Sequence, residues 1–209
     1  MKRLNHTLLI GNGQTPSVPE LKALALKADF AVAADGGADN ALRAGLVPDV
    51  IIGDLDSVSP RARKKFSSCQ WILVNDQDNT DLQKALDYLV AQKRKKCTLV
   101  GFDGGRMDFT LGNLLALYPY ARKMELCVVG NRWRIYPLAK KKTFDTRPGA
   151  RVSLLPFVPC RGVTLDGLKF PLQNARLTLG TTQTLSNVTL KKRFTVNLQK
   201  GFLLVYLEN

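Results

Sequence analysis

The chain has 209 residues, of which 45% are hydrophobic and 23% charged. This length and composition exclude a disordered or fibrous protein and suffice for one large domain or two small ones. The 31 Lys and Arg residues outnumber the 17 Asp and Glu residues, giving a net charge of +14 that favours anionic partners such as nucleotides.

Targeting signals and cysteine motifs are both missing from the sequence. No apolar run is long enough to span a membrane, and the run Leu8–Ile10 ends too early for a signal-peptide core. We therefore expect a cytoplasmic protein without membrane contact. The four cysteines form no CxxC pair, so we expect free thiols and no zinc or redox site.

Short apolar strands alternate with helical stretches in the first two-thirds of the chain. The strands are predicted over residues 8–10, 30–34, 50–52, 71–74, 98–100 and 126–129, and the helices over 20–27, 39–44, 81–92 and 111–117. This alternation is typical of a mostly parallel sheet with helices on its faces. We predict a Rossmann-like α/β domain over residues 1–145.

The pattern changes after about residue 145. Pro and Gly separate short β-like runs at 151–156, 176–179, 195–198 and 202–207, and no long helix is predicted. We therefore predict a small all-β domain over residues 146–209.

Acidic residues follow four of the predicted strands. They are Asp35 after the second strand, Asp54 and Asp56 after the third, Asp76, Asp78 and Asp81 after the fourth, and Asp103 and Asp108 after the fifth. Ligands bind at the carboxyl ends of the strands in open parallel sheets. We predict that four neighbouring strand ends present these carboxylates to one cleft.

A cluster of carboxylates repels itself unless a cation fills it. The nearby oxygen donors are Asn and Gln carbonyls, without His or Cys, and this set favours Mg²⁺. The ion would bridge the protein to phosphate oxygens. Because His6 is the only histidine and precedes the first strand, a proton acceptor would have to be a carboxylate or the substrate.

Two glycine pairs, Gly36-Gly37 and Gly104-Gly105, permit the close backbone approach that phosphate cradles need. Arg106 follows the second pair and is a candidate phosphate clamp. The chain has no P-loop motif and no complete GxGxxG motif.

These motifs, in this order, resemble the thiamine pyrophosphokinase family from about residue 10 to the end. They are Asp35–Ala38, Gly45–Asp49, Gly53–Val58, Asp76–Leu82, Gly104–Asp108, Leu111–Asn113, Gly167–Leu172 and Leu185–Asn187. The resemblance implies transfer of the diphosphate of ATP to the hydroxyl of thiamine, giving thiamine diphosphate and AMP. It also implies a homodimer with a β-sandwich second domain, and thiamine lying between the α/β domain of one subunit and the β domain of the other.

The resemblance extends to single residues. The predicted metal ligands are Asp54, Asp56, Asp76 and Asp78, and Asp81 joins them in the catalytic set. The predicted nucleotide-binding residues are Asp35, Gly36, Gly37, Gly104, Gly105, Arg106 and Asp108. Ser186 and Asn187 are expected to contact thiamine, and Phe170 is a candidate aromatic wall for its rings. Either Asp56 or Asp78 could accept the hydroxyl proton.

Two positions depart from the family pattern, Phe109 in place of a common His and Val188 in place of a common acidic residue. Two other functions stay open at this stage. One is a Mg²⁺–ATP diphosphotransferase that acts on another heteroaromatic alcohol, such as a hydroxymethylpterin. The other is a basic nucleic-acid-binding module, although the lysine runs lack interleaved aromatic residues and we expect no specific nucleic acid.

Overall fold

The structure, a computed structural model, describes residues 5–208 and divides the chain into two compact units. The first ends at Asn131 and the second begins at Arg132, earlier than the boundary predicted after residue 145. The reason is that residues 133–145 contain two strands that pair with late strands of the second unit.

The first unit contains a six-stranded sheet and five helices. Its elements are β1 (His6–Ile10), α1 (Val18–Ala25), β2 (Phe30–Ala34), α2 (Gly37–Ala44), β3 (Val50–Gly53), α3 (Pro60–Lys65), β4 (Gln70–Leu73), α4 (Asp81–Ala91), β5 (Lys96–Val100), α5 (Met107–Ala116) and β6 (Glu125–Gly130). The strands pair in parallel in the order β6-β5-β1-β2-β3-β4. The predicted parallel α/β architecture is confirmed.

The strand order reverses at β1, since β2, β3 and β4 extend from one side of it and β5 and β6 from the other. Such a switch point opens a crevice at the carboxyl ends of the strands. The sequence suggested that four neighbouring strands bear the acidic residues, but β1 separates β5 from the other three. The loop after β1 therefore joins the crevice.

Helix ends are set by local sequence signals. Thr80 and Gln83 form a capping box at the start of α4, with Thr80 Oγ1 accepting from Gln83 N at 3.4 Å and Gln83 Oε1 accepting from Thr80 N at 3.2 Å. This cap makes Asp81 the first residue of the helix. The short α3 was not predicted, although Ser59 caps it and Pro60 stands in its first turn.

The second unit consists of two four-stranded sheets. Its strands are β7 (Trp133–Leu138), β8 (Lys142–Asp145), β9 (Arg151–Pro156), β10 (Cys160–Asp166), β11 (Leu172–Leu177), β12 (Asn187–Val188), β13 (Arg193–Asn197) and β14 (Leu203–Glu208). Within this unit the strands pair in the orders β12-β9-β14-β7 and β11-β10-β13-β8, and all the pairs are antiparallel. Alternate residues of both sheets, such as Val205 and Val196, share one buried core, as in a β-sandwich. The predicted all-β domain is confirmed.

Two smaller expectations concern membranes and thiols. Over residues 5–208, no helix is long and apolar enough to cross a membrane. None of the four cysteines, which all lie within residues 5–208, forms a disulfide, and Cys97 and Cys160 are buried.

The only histidine is buried at the start of β1. His6 Nδ1 donates to the carbonyl of Lys27 at 2.9 Å, and Nε2 lies 2.9 Å from the hydroxyl of Thr98. Burial lowers the pKa of His6, so the folded protein favours the neutral ring. Between its unfolded and folded pKa values the unfolded chain binds more protons, and the free energy of unfolding falls as the pH falls below about 6.5.

We therefore expect His6→Gln to flatten the pH dependence of stability. Urea unfolding of wild type and His6→Gln at pH 7.5 and 5.5 measures the effect of His6. The carboxylates contribute equally to the pH dependence of both proteins, so the difference between them reports on the histidine. An equal loss of stability in both proteins on acidification would contradict this assignment.

Candidate active site

A cavity of about 550 Å³ lies at the carboxyl ends of the strands of the first unit. Its lining comes from the loops after β1 to β5 and from α4 and α5, and includes Asn12, Asp35, Asp54, Asp76, Asp81, Lys84, Asp103, Gly104 and Arg106. The acidic strand ends therefore meet at one crevice, as the alternation of strands and helices predicted.

Three carboxylates of the cavity form a compact group. One oxygen each from Asp35, Asp54 and Asp81 lies within 4.8 Å of the others. Gly53, at the end of β3, makes this approach possible, because a Cβ there would lie 3.0 Å from Asp35 Cβ and 3.1 Å from Asp81 Oδ1. Its φ of +150° is also unfavourable for other residues.

A lysine side chain lies against this carboxylate group. Lys84 Nζ is 3.2 Å from Asp81 Oδ1 and 3.5 Å from Asp54 Oδ2, and its side chain is only 3% exposed. Burial lowers the pKa of Lys84, but the hydrogen bond and charge of Asp81 and the charge of Asp54 outweigh it, so the pKa is raised. The lysine is held as a cation between two carboxylates.

Burial has the opposite effect on Asp81. It raises the pKa of the Asp81 carboxyl, Lys84 lowers it, and the charges of Asp54 and Asp35 raise it again, leaving it above the usual value. Lys84 alone therefore does not neutralise the group, and a second cation would be stabilised there.

The loop after β4 bends around Asp76. Asp76 Oδ2 accepts from Asn79 Nδ2 at 2.6 Å, and Oδ1 accepts from the backbone N–H of Asp78 at 2.8 Å. These hydrogen bonds lower the pKa of Asp76. Asp76 lines the cavity, whereas Asp78 is not among the lining residues.

The predicted metal ligands are thus only partly brought together. Asp54 belongs to the compact group and Asp76 lines the same cavity, but Asp56 lines no part of it and its Oδ1 accepts from Ser57 Oγ at 2.9 Å. Asp35, predicted for the nucleotide, lies in the carboxylate group instead, together with Asp81.

The two glycine pairs have different surroundings. Gly36 and Gly37 are not among the cavity residues, and they pack against Asn12 and the carbonyl of Ile10. Gly104 lines the cavity at φ +83°, while a Cβ added at Gly105 would meet no atom within 4 Å.

Arg106 stands at the start of α5. Its guanidinium donates to both carboxylate oxygens of Asp108, at 3.1 and 2.5 Å, and this contact lowers the pKa of Asp108. The guanidinium carbon also lies 4.5 Å from the ring centroid of Phe109, and both Arg106 and Phe109 line the cavity. Phe109, which replaces a common family histidine, therefore supports Arg106 by a cation–π contact.

If ATP, the nucleotide that the family resemblance implies, binds at Arg106, Phe109→Leu should raise its KM about two- to fivefold, since an exposed cation–π contact contributes about 0.5–1 kcal/mol. Phe109→Tyr keeps an aromatic face and is the matched control. Initial rates over a range of ATP concentrations measure both variants. If the Phe109→Leu and Phe109→Tyr proteins have the same KM for ATP, the aromatic ring does not position Arg106.

The predicted thiamine residues lie in the second unit. Asn187 is buried, and its side-chain amide is already engaged, accepting from Phe170 N at 3.0 Å and donating to Phe170 O at 2.7 Å. Phe170 is 57% exposed. Ser186 has a positive φ of 56°, and its N–H donates to Ser153 Oγ. Asn187 therefore holds the backbone that carries the exposed ring.

Several cavity residues were not predicted as site residues, among them Asn12 and Lys84, while Asp103 was predicted for the cleft without a role. Lys84 had a detectable signal, because its spacing of three residues from Asp81 puts both on one helix face. Asn12 was missed because it lies in the loop after β1. That loop reaches the cavity only because β1 is central in the sheet, and no local sequence motif predicts the strand order.

The donor set of the carboxylate group fits a hard divalent cation. All three candidate ligand atoms are carboxylate oxygens, and Asp35 Oδ1 is buried without any hydrogen-bond partner among the described residues. A buried oxygen without a donor is costly unless a ligand satisfies it. Oxygen ligands of this kind suit Mg²⁺.

Comparison with known proteins identifies the family. The sequence model of the thiamin pyrophosphokinase catalytic domain matches residues 21–128, and that of the thiamin pyrophosphokinase vitamin B1 binding domain matches residues 141–203. The chain belongs to the thiamine pyrophosphokinase family. Its enzymatic function is that of a thiamine pyrophosphokinase, a kinase-type transferase of thiamine diphosphate biosynthesis with ATP as co-substrate.

Relatives of known sequence or structure match nearly the whole length of this chain. A thiamine pyrophosphokinase of Bacillus subtilis is 28% identical over 212 residues, covering 98% of each chain. The crystal structure of thiamine pyrophosphokinase from Bacillus subtilis superposes with a TM-score of 0.84 at 25% identity, covering 97% of this chain and 99% of that one. Thiamin pyrophosphokinase from Candida albicans has the same fold, with a TM-score of 0.84 at 18% identity over 97% and 88% of the two chains. Neither the pterin nor the nucleic-acid alternative is favoured.

Proposed function

We propose that the protein transfers the diphosphate of ATP to the hydroxyl of thiamine in the carboxylate-lined cavity of the first unit. The thiamine oxygen bonds to the β-phosphorus, the bond from that phosphorus to the oxygen bridging it to the α-phosphorus breaks, and AMP leaves with that oxygen. The hydroxyl proton passes to a base. The observation that carries the proposal is the group of three carboxylates with Lys84 at the strand ends.

Little is required of the side chains in such a reaction beyond neutralising and orienting the triphosphate. Lys84 contributes a buried positive charge, and Arg106 an exposed one at the cavity edge. The N–H groups around Gly104 would approach phosphate oxygens closely, as a glycine loop permits. Arg106 would exchange Asp108 for a phosphate when ATP binds, since both offer paired oxygens to a guanidinium.

We further propose Mg²⁺ as the metal. Asp35, Asp54 and Asp81 would hold it, and Asp76 would contribute from the same cavity. When bound, the ion supplies charge neutralisation to the phosphate oxygens. Asp56 and Asp78 stay predictions as metal ligands and as alternatives for the proton acceptor.

The second unit would supply the contacts to thiamine. Phe170 offers an exposed ring for the flat heterocycles, Asn187 holds its backbone in place, and Ser186 lies beside them in sequence. Thiazolium is a cation, so it suits a protein whose cavity is lined by carboxylates, while the basic surface attracts ATP.

We also propose a homodimer. The surface that supports it is α5, where no residue is buried and Leu111 and Leu115 are each 48% exposed. An apolar helix face of this kind is typical of a subunit interface. Sedimentation at micromolar concentration tests this, and a monomer would contradict it.

The function is tested by assaying AMP and thiamine diphosphate from ATP and thiamine, with Mg²⁺ and with EDTA. Equal amounts of the two products are expected with Mg²⁺, and neither with EDTA. Hydroxymethylpterin replaces thiamine in a parallel reaction, where no AMP is expected. AMP formation with the pterin and not with thiamine would overturn the proposed acceptor.

A further inference from the structure

Two side-chain oxygens in residues 5–208 are buried without a hydrogen-bond partner, Asp35 Oδ1 and Asp103 Oδ1. The first belongs to the carboxylate group described above. Asp103 is not a member of that group, although it lines the same cavity. Its unsatisfied oxygen therefore needs a separate explanation.

No cation in the described part of the chain satisfies Asp103. Burial raises the pKa of its carboxyl, a hydrogen bond from its own backbone N–H only partly offsets that effect, and no lysine or arginine opposes it. This distinguishes Asp103 from Asp81, which is paired with Lys84. A buried carboxyl without a counterion is stabilised by a hydrogen-bond donor.

Hydrogen bonds connect the backbone around Asp103 to the loop after β1 and to α5. The carbonyl of Asp103 accepts from Gln14 N at 2.8 Å, and that of Gly101 accepts from Gly13 N at 2.6 Å. On the other side, Asn113 Nδ2 donates to the carbonyl of Phe102 at 3.1 Å. A side chain on such a braced loop is well placed to select a ligand.

The chemistry of ATP limits what can meet this oxygen. Phosphate groups are anionic and would be repelled by a carboxylate, so they belong with Lys84 and Arg106. The nucleoside part carries neutral donors, namely the ribose hydroxyls and the base amino group. Phe102, the residue before Asp103, also lines the cavity and offers an apolar surface to a nucleoside.

We propose that Asp103 is a specificity-determining residue that accepts a hydrogen bond from a neutral donor of the nucleoside part of ATP. The proposal rests on the proposed function, since it assumes that ATP occupies this cavity. It deepens that function by assigning a residue to nucleoside selection at the β1/β5 switch point.

The test compares ATP with three analogues that each lack one donor. They are 2′-deoxyATP, 3′-deoxyATP and purine riboside triphosphate, which lacks only the base amino group. Binding of each Mg²⁺–nucleotide without thiamine is measured by calorimetry, and kcat/KM is measured with thiamine. Wild-type protein is expected to prefer ATP over at least one analogue by about 10-fold or more, the value of a hydrogen bond to a charged group.

The variants Asp103→Leu and Asp103→Asn separate recognition from structure. Leu cannot accept a hydrogen bond, so its preference between ATP and the discriminating analogue should fall to about 1, whereas Asn keeps an acceptor oxygen and should retain most of it. Asp145→Asn, an exposed carboxylate of the second unit, is the control and should leave the preference unchanged.

Either of two results overturns the proposal. One is a wild-type protein that does not discriminate against any analogue. This result is obtained without any variant, so it does not depend on whether the variants fold. The other is an Asp103→Leu protein that keeps the full preference. Failure of the proposed function looks different, because wild-type protein would then form no AMP from ATP and thiamine whatever the nucleotide preference in binding.

Discussion

Asp54→Asn is expected to lower kcat for AMP formation by at least about 100-fold, since metal coordination contributes several kcal/mol to stabilising the phosphoryl-transfer transition state. The free energy of unfolding should stay within about 1 kcal/mol of wild type or increase, because two effects oppose each other. The variant would lose the ion pair with Lys84 at 3.5 Å but would relieve repulsion with Asp35 and Asp81. Activity at saturating ATP and thiamine, together with urea unfolding, measures both effects.

The control for this loss is Asp145→Asn, which removes the same charge from an exposed pair with Arg193. Its activity should match wild type. Near-normal AMP formation by Asp54→Asn would show that the carboxylate group does not serve the reaction.

The same assay separates the two possible sets of metal ligands. If the compact group holds the ion, Asp35→Asn and Asp81→Asn lose activity as severely as Asp54→Asn. If the set predicted from sequence is right, Asp56→Asn and Asp78→Asn lose as much instead. The loss of kcat, and not a change in KM for thiamine alone, is the relevant readout.

Gly37→Ala is expected to have the largest effect on stability. A Cβ at Gly37 would lie 2.0 Å from the carbonyl oxygen of Ile10, so α2 and the end of β1 would have to move apart. Overpacking of this kind costs about 2–3 kcal/mol, which corresponds to a fall in Tm of about 5–10 °C in a chain of this size. Calorimetry or thermal circular dichroism measures the shift.

Gly112→Ala makes the identical chemical change within α5, where a Cβ would meet no atom within 4 Å. Alanine is a better helix former than glycine, so this variant should gain about 0.5–1 kcal/mol. A Gly37→Ala protein as stable as Gly112→Ala would mean that α2 does not pack on β1 as described.

Strands and their acidic ends could be predicted because both are local features. The runs Leu8–Ile10 and Phe30–Ala34 are apolar over the length of a strand, and Asp35 and Asp54 follow directly after strands. The parallel architecture then requires those ends to share one edge of the sheet. The general location of the site thus follows from short segments alone.

The composition of the carboxylate group could not be predicted, because it depends on side-chain direction. Asp54 and Asp56 are two residues apart, yet Leu55 between them has a φ of +66° and the chain turns there. Asp56 consequently does not line the cavity, and its Oδ1 accepts a hydrogen bond from Ser57 Oγ. Lys84 was overlooked because a lysine in a helix is usually expected in solvent, whereas here two carboxylates offset its burial.

Binding of Mn²⁺, followed by loss of the free-ion electron paramagnetic resonance signal, tests the carboxylate group most directly. The titration uses α,β-methylene-ATP, in which the bond broken by the reaction is replaced. The account predicts that wild-type protein takes up Mn²⁺ and the analogue together and that Asp54→Asn takes up at least about 10-fold less at the same concentrations. Equal uptake by the two proteins would contradict it.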